Sequence, residues 1–233
     1  MKVIIDYRTS PEAVDTLCNL GCKVIKTVPL KQVYPEIDGH PDIQLHIVNN
    51  KVICAPQVYE YYKKALPEYQ VICGSAELSD KYPHDIAYNV CRIGKYAICN
   101  VQNTAKEIIN EYSNLTVLNT KQGYAKCSIC VVSDNAAITA DEGIYKLLTS
   151  NGIDTLKITP GNIDLYGMEG FIGGASGLLK PDLLTFNGNL YNHPDGKLIE
   201  KFCNSHGVNI VCLHSGRLTD TGSILSLHPF YSK

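Results

Sequence analysis

Apolar residues occur along the chain in short runs of two kinds. Runs such as Val3-Ile4-Ile5, Val24-Ile25, Val52-Ile53-Cys54 and Val71-Ile72-Cys73 are continuous and rich in β-branched residues, as buried strands are. Between them lie stretches whose apolar residues recur three and four apart, the spacing of one helix face. The first predicted helix opens at Ser10-Pro11-Glu12, a cap residue followed by proline at the first helical position, and stops at Gly21. A second opens at Pro56 and continues through Tyr59, Tyr62 and Ala65. Thr104-x-x-Glu107 has the form of a capping box and opens a third, through Ile108 and Ile109. A fourth opens at Asp141 and stops at Asn151-Gly152; a fifth opens at Asp195 and stops at His206-Gly207. Glycine just past the last turn is the expected left-handed terminator.

The elements repeat. Each helix is followed by a short strand: Lys23–Lys26, Gln70–Cys73, Leu115–Leu118, Thr155–Ile158 and Asn209–Cys212. Each is preceded by another: Val3–Ile5, Val52–Cys54, Ala97–Cys99, Ala137–Thr139 and Leu190–Tyr191. Four of these preceding strands have an opening strand across a turn, at Asn49-Asn50, Gly94-Lys95, Asp134-Asn135 and Asn187-Gly188. The unit is therefore strand–turn–strand–helix–strand, and only the first copy lacks its opening strand. The run Ser223–Leu227 supplies that strand if it pairs with Val3–Ile5. The pattern predicts a five-bladed α/β propeller closed by its C-terminal strand, a single domain over residues 1–233 with no open sheet edge. A doubly wound sheet would use single strands between helices, and the hairpins speak against it.

Composition narrows the function. Apolar residues make up 45% and charged residues 19%, which excludes a disordered chain. The 21 Lys and Arg balance 23 Asp and Glu with no basic run, so a nucleic-acid backbone binder is not expected. No apolar run approaches the roughly 20 residues of a membrane helix, and the segment Met1–Asp6 is too short for a signal sequence. The ten cysteines are then expected to be reduced thiols in a cytoplasmic protein, with Cys54, Cys73, Cys99 and Cys212 serving as small buried hydrophobes. Cys127-x-x-Cys130 lies in Ala125–Val132, which reads as a strand and would point the two sulfurs to opposite faces. No second pair completes a four-cysteine site, so no metal is expected. Nor is an organic cofactor: Gly170-x-x-Gly173-Gly174-x-x-Gly177 has dinucleotide-like spacing, but no helix pattern follows it.

The five-unit repeat resembles the pentein fold of the guanidine-modifying enzymes: arginine and agmatine deiminases, dimethylarginine dimethylaminohydrolases and amidinotransferases. A non-enzymatic ribosome anti-association factor shares that fold. Gly173-Gly174-Ala175-Ser176-Gly177-Leu178 is similar to the His-containing strand of the dimethylaminohydrolases, and Gln122-Gly123-Tyr124-Ala125 to their Glu-Gly-Gly-Asp strand. The resemblance implies a Cys nucleophile, a His proton relay and acids that hold the guanidinium. This chain departs at each position: Gln122 stands for the Glu, Gly173 for the His, and Ser223 or Ile224 for the Cys. Standard guanidine hydrolysis is therefore not expected, and no catalytic residue is assigned.

Polar residues at matching positions of the repeat remain. His46, Asn89, Ser128, Ser176 and Ser223 would ring a central channel, with Gly173 and Gly174 allowing close backbone approach. Asp42, after His40-Pro41, and Asp85, beside His84, could pair with a cationic ligand there, although an aspartate capping its own turn is the favoured reading of both; Gln122 could also face the ligand. Three functions stay open: binding of a small polar molecule, an enzyme with relocated residues drawn from His84, Asp85 and Ser223, or a scaffold for a protein partner.

Overall fold

The computed structural model describes residues 1–227. Strand β1 (Lys2–Ile5) leads into helix α1 (Pro11–Asn19) and strand β2 (Lys23–Lys26). After a long connection and the single turn α2 (Pro41–Gln44) comes β3 (Leu45–Val48), β4 (Lys51–Cys54), α3 (Tyr59–Ala65) and β5 (Gln70–Cys73). The third unit is β6 (Cys91–Ile93), β7 (Tyr96–Cys99), α4 (Lys106–Glu111) and β8 (Thr116–Asn119). A second single turn, α5 (Ala125–Ser128), precedes β9 (Cys130–Ser133), β10 (Ala136–Thr139), α6 (Glu142–Ser150) and β11 (Asp154–Lys157). A two-stranded hairpin, β12 (Asp164–Leu165) and β13 (Met168–Glu169), stands before β14 (Ser176–Lys180), β15 (Leu183–Phe186), α7 (Gly196–Ser205) and β16 (Asn209–Cys212). The last strand is β17 (Leu225–Ser226).

These strands form five three-stranded sheets of one topology, ordered β17-β1-β2, β3-β4-β5, β6-β7-β8, β9-β10-β11 and β14-β15-β16. In each, an opening strand runs antiparallel to the middle strand, and the middle strand runs parallel to the third, with a helix crossing between them. The first sheet is completed from the far end of the chain, where Val3 faces Ser226 and Ile4 faces Leu225.

Burial explains the two kinds of apolar run. The middle strands are covered on both faces, so Val52-Ile53-Cys54 and Ala136-Ala137-Ile138 are wholly buried. The third strands are peripheral, with exposed ends in β2, β5 and β11. Cys73 is therefore exposed and Cys212 only partly buried, a correction to their reading as core thiols, whereas Cys54 and Cys99 are buried. Ser10 and Asp141 cap α1 and α6 by accepting from Ala13 and Ile144 N–H. The capping box of α4 does not form: that helix starts at Lys106, and the Thr104 hydroxyl donates to the Asn100 carbonyl instead. The fifth hairpin turns at Pro181-Asp182 rather than at Asn187-Gly188, and Leu190–Asn192 is a 3₁₀ turn rather than a strand. The two longest connections are pinned by Arg8. It pairs with Asp6 at 2.6 Å, donates to the carbonyls of Pro35 and Glu36, and stacks 4.2 Å from the Tyr166 ring.

Candidate functional site

Each opening strand is entered by a connection that carries one distinctive residue two or three positions ahead of it. These are Asp42, Asn89, Cys127, Gly173 and Ser223. Hydrogen bonds tie the five into one buried cluster. The Ser223 hydroxyl lies 2.7 Å from Asp42 Oδ2 and 3.0 Å from the Gly173 carbonyl, and the Cys127 thiol donates to Asp42 Oδ2 at 3.1 Å. Asn89 reaches three partners. Its Oδ1 accepts from Lys126 N–H at 2.7 Å, and its Nδ2 donates to the Asp42 carbonyl at 3.2 Å and to Cys127 Sγ at 3.1 Å. Lys126 Nζ donates to Ser223 Oγ at 3.0 Å.

The backbone is shaped for this meeting. Ser223 has φ of 69° and Gly222 of 70°, two consecutive left-handed residues. For serine that conformation is unfavourable. It is held by the Ser223 N–H bond to the Gly174 carbonyl at 2.7 Å as well as by the hydroxyl. Gly174 admits no side chain, since a Cβ there would sit 1.9 Å from Asp220 Oδ1. Asp220 accepts from the N–H groups of Phe171 and Gly222 and lies 3.9 Å from Nδ1 of the buried His40.

Burial dominates the electrostatics. Asp42 is pushed above the usual carboxylate range by loss of water, opposed by Lys126 and by the Ser223 and Cys127 bonds. Asp220 is pushed up to about 7 by burial and then by the neighbouring Asp42. The Cys127 thiol is held well above its ordinary value by burial and by the same carboxylates, so alone it is a neutral thiol rather than a nucleophile. His40 is pushed down to about 3 by burial.

Asp42 and Lys126 also form part of the wall of a cavity of about 340 Å³. Every opening strand contributes to that wall: His46 from β3, Arg92 from β6, Val131 from β9, Ser176 from β14 and Leu225 from β17. His46 is 7% exposed, bonds the Tyr112 hydroxyl through Nε2, and is pushed down to about 3 by burial, with Arg92 and Lys126 adding to the effect. Below about pH 6.5 the unfolded chain takes up a proton at this residue that the folded chain refuses. The stability this gives is complete above pH 6.5 and is lost as pH falls toward 3. Urea unfolding is expected to show His46→Gln losing about 2 kcal/mol less than the parent between pH 6.5 and pH 5. Parallel slopes for the two proteins would refute this.

The nine sequence-derived candidates fall into three places. His46 and Ser176 line the cavity, and Asn89, Gly173, Gly174 and Ser223 belong to the buried cluster that meets it at Asp42 and Lys126. Asp85 and Gln122 lie together elsewhere: the Tyr124 hydroxyl donates to Asp85 Oδ2 at 2.6 Å, and Gln122 Oε1 accepts from Tyr124 N–H. Ser128 lines a second cavity of about 310 Å³ beside Asp141 and Phe171. Sequence reasoning passed over Lys126 and weighed Asp42, Cys127 and Asp220 without assigning them to the site. Their signal was position, since Asp42 and Cys127 stand ahead of opening strands just as Asn89 and Ser223 do.

The family described as "Family of unknown function (DUF6873)" matches residues 4–225. The chain belongs to DUF6873. No curated protein matches the DUF6873 chain in sequence. Solved structures do match its fold. The amidinotransferase SxtG of saxitoxin biosynthesis from Microseira wollei superposes with a TM-score of 0.60 at 10% identity, covering 99% of this chain and 95% of its own. Inosamine-phosphate amidinotransferase from Streptomyces griseus gives 0.59 at 15% identity, covering 99% and 94%. Dimethylarginine dimethylaminohydrolase from Pseudomonas aeruginosa gives 0.54 at 9% identity, covering 95% and 92%. All three have the pentein fold, and the DUF6873 chain shares that fold.

Proposed function

We propose that this chain is a single pentein domain whose five sheets are the blades of a closed propeller, and that it binds a small polar molecule in the central channel without guanidine hydrolysis. The observation that carries this reading is the cavity of about 340 Å³ walled by all five opening strands. That volume lies in the range of small-molecule sites. Its apolar wall offers a cation at Lys126 and a carboxylate at Asp42, whose Oδ1 is buried without a partner. Such convergent charges suit a small molecule bearing ionised groups of its own.

The positions that match the family motif support the loss of guanidine chemistry. Gln122 is a neutral amide engaged with Tyr124 and Asp141. Gly173 is packed against backbone carbonyls, and among the described residues Ser223 bonds Asp42 and Lys126 and no imidazole. Of the relocated set of His84, Asp85 and Ser223, Asp85 is bonded to Tyr124 and Ser223 to Asp42 in the buried cluster, which disfavours it as a catalytic group.

The test is native mass spectrometry with a thermal-shift screen of amino acids, guanidino compounds and nucleotides. A retained molecule, or a saturable rise in Tm, is expected, because a ligand that binds only the native state stabilises it by mass action. Lys126→Met is expected to abolish the shift for the same compound. Turnover of arginine, agmatine or a methylated arginine would sink the proposal, as would a shift indifferent to Lys126.

A further inference from the structure

We infer that His40, Asp42 and Cys127 form a binding site for a divalent cation of the zinc class. One ligand atom from each lies within 4.8 Å of the others. Ligands around tetrahedral zinc sit about 2.0–2.3 Å from the ion and so roughly 3–4 Å from one another. Closing this group onto an ion needs shifts of about 1 Å or less. All three residues are buried, at 1%, 1% and 3% exposure, so water does not serve them as it would on the surface.

Two independent observations point to a missing partner. Among the described residues, neither ring nitrogen of His40 has a hydrogen-bond partner, although the residue is buried. Asp42 Oδ1 lacks one as well, while Oδ2 of the same carboxylate is engaged. Buried polar groups are almost always satisfied, and each orphan left without an acceptor or donor is costly. An ion between them supplies a partner to one ring nitrogen of His40 and to the Asp42 carboxylate at once. It also offsets the proximity of two buried carboxylates, Asp42 and Asp220.

The surroundings hold the imidazole in place. A Cβ on Gly222 would sit 2.3 Å from His40 Cβ, so the glycine packs flush against that side chain. Asp220 Oδ1, 3.9 Å from His40 Nδ1, is placed to take up the ring N–H when the other nitrogen ligates, the usual carboxylate–histidine–metal arrangement. One nitrogen, one sulfur and one oxygen donor suit zinc and its neighbours, whereas calcium and magnesium prefer oxygen alone. On binding, the Cys127 S–H bond breaks, the sulfur pair forms the metal bond, and the proton leaves to solvent. Asp42 borders the cavity, which gives the ion a route in.

This set differs from the Cys127–Cys130 pairing that the sequence suggested and dismissed. It also stands whether or not the cavity holds an organic molecule. The test uses the full chain, stripped with a chelator and titrated with Co²⁺. One equivalent is expected to bind with a thiolate-to-cobalt charge-transfer band, and Zn²⁺ is expected to displace it. Cys127→Ser should lose the band, and His40→Gln should weaken binding at least about 10-fold. No band in the parent protein would overturn the inference, as would a band that persists in Cys127→Ser and so belongs to an exposed thiol such as Cys18 or Cys73. If that variant does not fold, X-ray absorption of the zinc-loaded parent decides. One sulfur among nitrogen and oxygen ligands is expected; none, or two or more, would overturn it.

Discussion

Gly173→Ala is expected to destabilise the protein by about 3 kcal/mol or more, read as a fall in the urea midpoint at constant slope. The added Cβ would lie 2.4 Å from the carbonyl oxygens of Lys126 and Ile129 and 2.6 Å from that of Cys127. These are backbone atoms, so no side chain can swing aside to relieve the contact. The connection through α5 into β9 would have to move. It would take with it the Gly174 N–H bond to the Cys127 carbonyl, at 2.8 Å, and the bonds to Asn89. Gly143 on α6 is the control: a Cβ there meets only Asp141 Oδ1, at 3.2 Å. The same change there should stay within about 1 kcal/mol of the parent. Equal effects at the two glycines would show that the packing around Gly173 is looser than described. The contact also means that a histidine cannot be restored at this position by a single change. Gly173→His is expected to fail to fold rather than to regain guanidine hydrolysis.

Asn89→Ala is expected to cost about 3 kcal/mol, through groups left without partners rather than through lost packing. The amide joins three connections. It accepts from Lys126 N–H, donates to the Asp42 carbonyl and donates to the Cys127 thiol. Truncation strands a buried carbonyl and removes the acceptor of the first N–H groups of α5, each worth roughly 1–3 kcal/mol. Asn89→Asp keeps the acceptor, loses both donor bonds and adds a third carboxylate beside Asp42 and Asp220, so it should be no milder. A cost below about 1 kcal/mol for Asn89→Ala in urea unfolding would mean that the three connections are held by other contacts.

The same asparagine marks where the sequence could be read and where it could not. The hairpin turns at Asn49-Asn50, Gly94-Lys95 and Asp134-Asn135 carry their own chemistry, and strands pair across each of them. The pairing of the chain ends was legible as well, because five units left one strand position unfilled. Residues 125–128 were not legible. Ala125-Lys126-Cys127-Ser128 runs into a β-branched stretch with no local cap, and its helical turn is capped instead by Asn89, distant in sequence. Asn187-Gly188 misled for a related reason. Gly188 has φ of 128° to let the chain pass the Arg217 carbonyl, 2.3 Å from where a Cβ would be, not to close a hairpin. The candidate site lies in these connections, where tertiary contacts rather than periodicity decide the conformation. Cys127 and Asp42 were visible as residues but not as neighbours.

The pairing of β1 with β17 sets an order of events during synthesis. Val3 is made 223 residues before its antiparallel partner Ser226. At bacterial to eukaryotic translation speeds that interval is on the order of 10–50 s. Through it one edge of β1 has no strand to pair with, and an unpaired edge is an invitation to association with other chains. Ser223, which bonds Asp42, is made just ahead of Ser226. A chain that stops before Ser223 therefore lacks the closing strand and part of the buried cluster together, so such truncated products should be recognisable both by their stickiness and by their silence.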